Sequence, residues 1–288
     1  MIDYDGKRWG KVALQLHGSV IPGVLPRVLL AGALGAVAAL AHSAYGFSIP
    51  PIAHTLVGVA LGLLLVFRTN ASFDRYWEGR KLVGQMVNRC RDLARQAETL
   101  LDPAADGARA RFRRLVPAWF ALTRQHLRAE RELEALGAQL TEDERATLGP
   151  VTTRPLTVAT WLGRALAEEA RAGRLSEQRI QLFDQNLTAL ADTLGGCERI
   201  VRTPIPFAYA QHIKSFLLLF CYTAPFAMAE SMGWHTPMAA LVLAYALFGI
   251  DEIGVEIEDP FGYDPNDLAM DGIGETIGRD VAEILADG

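Results

Sequence analysis

The apolar residues of this 288-residue chain are gathered into four blocks near its two ends, with a charged stretch between them. The first two blocks cover residues 24–47 and 52–67, and the last two cover 207–229 and 236–250. A helix needs about 20 apolar residues to cross a bilayer, within a range of roughly 17–25. The blocks therefore predict four membrane-spanning helices, of which the second is the weakest because Pro50–Pro51 shortens it. Buried helices of a large soluble protein are the alternative.

The charged centre of the chain also has helical periodicity. From Arg68 to about Ala97 the apolar residues recur at helical spacing, which predicts an amphipathic helix continuing directly from the second block. No strand-type alternation of any length is present, so the predicted fold class is all-α. Four more helices are predicted: 109–136, a short one opened by a capping box at Thr141 and Glu144, 155–172, and 176–194 ended by Gly195–Gly196.

The distribution of Lys and Arg predicts the topology. The short loops 43–51 and 230–236 contain neither residue, so the positive-inside rule places them outside the cell. Both termini and the centre are then cytoplasmic, and the chain is expected to cross the inner membrane several times. The predicted domains are residues 1–68 with the first two spans, a cytosolic helical region 69–204, spans three and four in 205–252, and a cytosolic segment 253–288.

Composition and motifs argue against several function classes. The three cysteines (Cys90, Cys197 and Cys221) have no zinc-site or thioredoxin spacing, and no phosphate-binding glycine loop or nucleophile elbow occurs. The basic stretches are interleaved with apolar residues, as on a solvated or subunit-facing helix. We therefore expect no enzyme, no cofactor and no nucleic-acid partner.

The second apolar block carries a regular stripe. Val59, Leu63 and Phe67 recur every four residues and so lie near one face of a helix, while Gly58 and Gly62 form a small-residue pair on an adjacent face. If several copies packed around an axis, rings of such bulky groups would form a hydrophobic constriction that passes ions only when wetted. Lipid-facing or ordinary core residues would give the same spacing.

Two charged segments follow the second and fourth blocks. Arg68, Arg75 and Arg80 come directly after the second block, and Glu252 and Glu256 come at the end of the fourth. Two glutamates four residues apart on a helix repel each other unless a cation lies nearby. We therefore predict that the arginines and these glutamates meet in one structural charge cluster.

Several long motifs in order resemble the bestrophins, particularly their prokaryotic branch. They are His17–Val20, Phe67–Lys81, Leu194–Arg199, Thr203–Tyr209, Glu256–Gly262 and Asn266–Leu268. The resemblance implies a homopentameric ion channel with four spans per subunit and a large helical cytosolic part. Its single central pore would be lined by the second span. Carried over position by position, the three apolar rings of its neck are Val59, Leu63 and Phe67.

The resemblance also implies two further sites. The family's narrow cytosolic aperture, usually apolar, would be at Gln178, so either this aperture is polar or the register is shifted by one. The acidic segment that clasps calcium in eukaryotic bestrophins matches Glu256, Asp259, Asp264 and Asp267. Tyr263 and Pro265 interrupt the acidic run here, so we expect a structural role for these residues and no bound metal.

The resulting hypothesis is a passive channel whose partners are other copies of the chain, the lipid bilayer and permeant monovalent ions. The acidic cytosolic end favours small monovalent cations, although the arginines can cancel it and the neck has no sign preference. A chloride or other anion channel is the alternative. A transporter, a membrane-anchored interaction protein and a membrane-embedded enzyme are the competing classes, and the absence of internal repeats argues against the transporter.

Overall fold

A computed structural model describes residue 2 and residues 4–286, and it contains only helices, turns and loops over this range. The all-α prediction is therefore confirmed. The described α-helices are α1 Trp9–Ala13, α2 Ile21–Tyr45, α3 Pro51–Leu100, α4 Asp106–Leu127, α5 Glu142–Leu148, α6 Arg154–Arg171, α7 Glu177–Arg202, α8 Phe207–Met232, α9 Thr236–Glu256 and α10 Met270–Ile284.

The chain divides into two compact units. The first unit comprises Met1–Tyr76, Pro204–Asp259 and Tyr263–Asp267, and the second comprises Trp77–Thr203, Pro260–Gly262 and Leu268–Gly288.

The first unit is built from α2, the beginning of α3, α8 and α9. Its core contains Val28 of α2, Leu61 and Leu65 of α3, and Leu217 of α8. Helices α8 and α9 are antiparallel, because Lys214 near the start of α8 lies 3.3 Å from the carboxylate of Asp251 near the end of α9. The first unit is thus a bundle of long apolar helices.

Three stretches are long and apolar enough to cross a membrane, where the sequence predicted four. They are Ile21–Tyr45, Pro51–Leu100 and Phe207–Glu256. The third stretch includes both α8 and α9, together with the 3-10 turn Gly233–His235 between them. The two counts differ because this turn keeps the stretch helical throughout, although its two halves run in opposite directions.

The second unit has an ordinary aromatic and aliphatic core. Trp119, Phe112 and Phe120 of α4 and Phe183 of α7 are fully buried. The rings of Phe112 and Phe183 meet edge to face with centroids 5.4 Å apart, a favourable arrangement for aromatic pairs. The capping box predicted at Thr141 and Glu144 is present at the start of α5.

The predicted end of α7 is wrong. Gly195–Gly196 do not end α7, which continues to Arg202. A Cβ on Gly196 would lie 2.9 Å from both Cδ atoms of Leu82, so this glycine serves the close approach of α3 instead of a helix end. Helix α9 continues past the apolar block to Glu256, so Glu252 and Glu256 lie on one helix as predicted.

The predicted helix 109–136 is also wrong at its end. Helix α4 ends at Leu127, and Ala129 adopts a left-handed conformation with φ 57°. A separate 3-10 helix then covers Glu134–Gln139. The apolar spacing carried the prediction across this break because no Gly or Pro marks it.

Candidate functional site

Helix α3 joins an apolar beginning to a long charged continuation. Its 50 residues correspond to about 75 Å of helix, well over the roughly 30 Å of a bilayer's hydrocarbon core. The apolar part from Pro51 to Phe67 is about 25 Å long, at the lower limit for a span. The proline fits the first helical position, where its missing N–H costs nothing.

The stripe of Val59, Leu63 and Phe67 lies on a bare face of α3. These side chains are 73%, 57% and 57% exposed, whereas Leu61 and Leu65 on the opposite face are buried. In the most apolar segment of α3 only 17% is buried, compared with 39% in that of α2 and 33% in that of the α8–α9 stretch. Something outside the single chain must therefore contact this face of α3.

The bare face begins before the predicted stripe. Ile52 and Leu56 are each 67% exposed and lie on the same face toward the start of the helix. The predicted stripe of Val59, Leu63 and Phe67 is therefore part of a longer exposed face.

The two glycines beside the stripe differ in their surroundings. A Cβ on Gly58 would lie 3.1 Å from the ring of Phe220 in α8, so Gly58 allows the two helices to pack closely. A Cβ on Gly62 would meet no atom within 4 Å in the chain. Only Gly58 therefore serves helix packing within one chain.

A buried arginine fixes α3 just beyond the stripe. The side chain of Arg68 is 2% exposed, and its Nη2 lies 2.6 Å from Oε2 of Glu258. Its Nη1 also donates to the hydroxyl of Ser72 at 3.0 Å. The backbone N–H of Ile205 donates to the other carboxylate oxygen of Glu258 at 3.0 Å. Arg75 adds a hydrogen bond from its Nε to the Glu258 carbonyl at 3.1 Å.

The acidic partner of these arginines differs from the prediction. Glu252 pairs with Arg27 of α2 at 3.0 Å, and Glu256 accepts a hydrogen bond from Asn266 at 2.9 Å. Glu258 replaces both as the partner of Arg68. Helical spacing could not identify Glu258, because α9 ends at Glu256 and Glu258 lies in the turn beyond it. Arg80 is exposed and joins none of these contacts.

The remaining acids of the candidate clasp form a local turn. The Asp267 side chain is buried, and its Oδ2 accepts the backbone N–H of Asp264 at 2.7 Å. Asp259 lies just before Pro260 in the same turn region. Among the residues described here, no three His, Cys, Asp or Glu side chains are grouped closely enough to hold a metal ion.

Gln178 is exposed at the second position of α7. The helix starts there because the Ser176 hydroxyl accepts the backbone N–H of Arg179 at 3.4 Å. Gln178 is therefore available to contact groups outside the single chain.

Two carboxylates in the second unit have lowered pKa values. Burial alone would raise the pKa of Glu144, but hydrogen bonds from Arg114 and from the Thr141 backbone lower it below its ordinary value. The pKa of Asp271 is also lowered, because hydrogen bonding and charge from Arg128 and Arg124 outweigh burial.

The cysteines of the second unit are unreactive by environment. Burial raises the pKa of Cys90 and of Cys197 to about 12, with the carboxylates of Glu78 and Glu198 adding to the effect at Cys197. Neither thiol forms an appreciable amount of thiolate at neutral pH, so neither is a nucleophile.

Comparison with known proteins settles the family. The model of the Bacterial/Fungal Bestrophin protein family matches residues 1–283. The chain belongs to this bestrophin family. Bestrophin membership and the candidate spans together make it a membrane protein, and they confirm the resemblance found from the motifs.

Relatives match this bestrophin over nearly its whole length. A protein of Nostoc sp. named voltage-dependent anion channel-forming protein alr2987 is 39% identical over 97% of this chain and 92% of its own. The Escherichia coli K12 protein YneE, with the same descriptive name, is 34% identical over 99% and 94%.

Solved bestrophin structures have the same fold. The crystal structure of a bacterial bestrophin homologue from Klebsiella pneumoniae matches with a TM-score of 0.87 and 28% identity. The match covers 92% of this chain and 99% of that chain. The predicted preference for cations has no support from the relatives, since their names describe anion channels.

Proposed function

We propose that this bestrophin is one subunit of a homopentameric ion channel, with a pore lined by the beginning of α3. The observation that carries the proposal is the bare stripe of Val59, Leu63 and Phe67 on a helix whose other face is packed and fixed by Arg68. Five such stripes around one axis form a hydrophobic neck, which conducts when wetted and resists ions when dry. A channel of this kind carries out no chemical reaction, so we assign no enzymatic activity.

The proposed subunit crosses the membrane four times, through α2, the beginning of α3, α8 and α9. Helices α8 and α9 have 26 and 21 residues, so each can cross a bilayer alone, and the Lys214–Asp251 pair supports their antiparallel arrangement. Both termini and the second unit then lie in the cytoplasm, which agrees with the loop charges. We assign the protein to the inner membrane, with regions 69–204 and 253–288 cytosolic.

We propose that the permeant ions are small monovalent anions. The neck side chains carry no charge and so give no sign preference. The names of the relatives, which describe voltage-dependent anion channels, support this assignment. A polar constriction at Gln178 is proposed as the cytosolic aperture, because this residue is exposed at the start of α7.

Reconstitution into liposomes and planar bilayers tests the proposal. The purified protein is expected to sediment as a pentamer and to produce single-channel currents. Under a tenfold KCl gradient, the reversal potential is expected to lie toward the chloride equilibrium potential. Pentamers without current would overturn the channel assignment, whereas a reversal potential near that of potassium would overturn only the anion assignment.

Truncation of the neck tests the pore-lining assignment. Phe67→Ala and Val59→Ala each shorten one of the rings of side chains in the proposed constriction. Single-channel conductance or open probability should therefore increase. Leu40→Ala is the matched control, because Leu40 is an equally exposed apolar residue on α2. Similar effects of Leu40→Ala and Phe67→Ala would mean that the α3 stripe faces lipid.

A further inference from the structure

The bare face of α3 continues beyond Phe67 with polar residues. Asn70 follows about one turn later and Asp74 about two turns later, and both are exposed. At 3.6 residues per turn, both lie within about 20° of the direction of Leu63 around the helix axis. Asp74 is thus the first charged residue on the face that carries the neck, about 10 Å beyond Phe67 along the axis.

The neighbouring cations lie on the other side of the helix. Arg68 and Ser72 are buried, with Arg68 bound to Glu258, and Arg75 donates to the Glu258 carbonyl. Among residues 2 and 4–286, no hydrogen bond or ion pair neutralises the carboxylate of Asp74. The segment after Phe67 therefore separates its charges, with the arginines on the packed face and one carboxylate on the open face.

We propose that Asp74 is a charge-selectivity residue of the pore. This inference rests on the proposed function, since five copies of α3 around one axis place five Asp74 carboxylates in one ring just inside the neck. An ion on the axis is then within reach of all five charges, because the Debye length is about 8 Å at physiological ionic strength. The ring attracts cations and repels anions at the inner end of the neck. It therefore lowers anion permeability, whichever ion the complete pore prefers.

Neutralisation of the ring tests this directional effect. In Asp74→Asn, the chloride-to-sodium permeability ratio should increase by about threefold or more, an order of magnitude set by five screened charges in water. The matched control is Glu283→Gln, which removes the same charge from an exposed site on α10. The control should have the wild-type permeability ratio.

A chemical version of the experiment does not depend on one substitution being tolerated. The native cysteines Cys90, Cys197 and Cys221 are buried, so the wild-type protein should react little with thiol reagents. In Asp74→Cys, a positively charged thiosulfonate reagent should shift the reversal potential toward the chloride equilibrium potential. A negatively charged reagent, applied separately, should shift it toward the sodium equilibrium potential.

The outcomes separate this inference from the channel assignment. If Phe67→Ala changes conductance while Asp74→Asn and both reagents on Asp74→Cys leave the permeability ratio unchanged, the selectivity role of Asp74 is wrong and the channel stands. If the wild-type protein produces no current at all, the channel assignment and the role of Asp74 are both overturned.

Discussion

The two units place their apolar side chains in opposite ways. In the first unit, large apolar residues such as Leu40, Val59 and Val242 are more than half exposed, while the charged side chains of Arg68 and Asp251 are buried. In the second unit Trp119, Phe112, Phe120 and Phe183 are fully buried, and its exposed large apolar side chains are Trp77, Leu156, Leu182 and Val201. Burial within one chain therefore measures stability in the second unit only, since lipid or other subunits complete the first.

This contrast predicts where single substitutions destabilise the protein. An apolar truncation leaves a cavity where the side chain is enclosed by its own chain. Where it faces outward, the same truncation changes only the contact with the surroundings.

The largest effect is expected for Phe112→Ala in the second unit. Its ring is fully buried against Phe183, so truncation should lower the free energy of unfolding by about 3–5 kcal/mol. Leu40→Ala in the first unit should cost less than about 1 kcal/mol. Thermal unfolding of detergent-solubilised protein, followed by tryptophan fluorescence, measures both. Equal losses would remove the distinction between the units.

The next largest effect is expected from removing a buried charge in the first unit. Arg68→Met should destabilise the first unit by about 3 kcal/mol, because Glu258 is left with a partly buried, unpaired charge. The double variant Arg68→Met, Glu258→Met should recover part of this loss. Arg8→Ala is the control, since its pair with Asp5 is largely exposed and contributes at most about 1 kcal/mol. Melting temperature and the yield of the proposed pentamer report the result. No recovery of stability in the double variant would contradict this prediction.

A pH titration should affect the second unit through Glu144. Because the folded-state pKa of this residue is lowered, its contribution to stability is present above the ordinary value of 4.5 and is lost as pH falls through the folded-state pKa. Glu144→Gln should lower the free energy of unfolding by about 1–2 kcal/mol at neutral pH. It should also make that free energy depend less on pH below 4.5. Unfolding measured between pH 3.5 and about 7 checks both. If the variant loses stability with falling pH as steeply as the wild type, other carboxylates cause the loss of stability in acid.

The smallest effect distinguishes the observed charge partners from the predicted ones. Glu252→Gln removes only the partly exposed pair with Arg27 and should cost about 0–1 kcal/mol. Glu258→Gln should cost clearly more, because the buried Arg68 loses its counterion. A larger loss for Glu252 would favour the partner predicted from helical spacing.

The sequence was sufficient for the features that depend on periodicity and composition. Apolar block lengths predicted the long helices, the motifs identified the family, and the capping box placed the start of α5. The spacing of Val59, Leu63 and Phe67 placed them on one face of a helix, and the structure shows that this face is exposed within the chain. No pattern, however, could say whether lipid, a subunit or water contacts them, because all three leave the same residues unpacked within a chain.

The missed features depend on contacts between distant residues. Gly196 lies inside a helix, where the missing side chain leaves room for Leu82. Glu258 binds Arg68 from outside any helix. The break at Ala129 carries no Gly or Pro. The first two errors arose where tertiary contacts overrode a local rule, whereas no local signal marked the third.

The bond between Arg68 and Glu258 also constrains the order of biosynthesis. The two residues are 190 positions apart, and a ribosome adds about 5–20 residues per second. The guanidinium is therefore made about 10–40 s before its counterion exists. During this interval the nascent chain must keep Arg68 hydrated or hold it with a temporary anion, such as a lipid phosphate. Final docking of the early helices thus has to wait until translation is nearly complete.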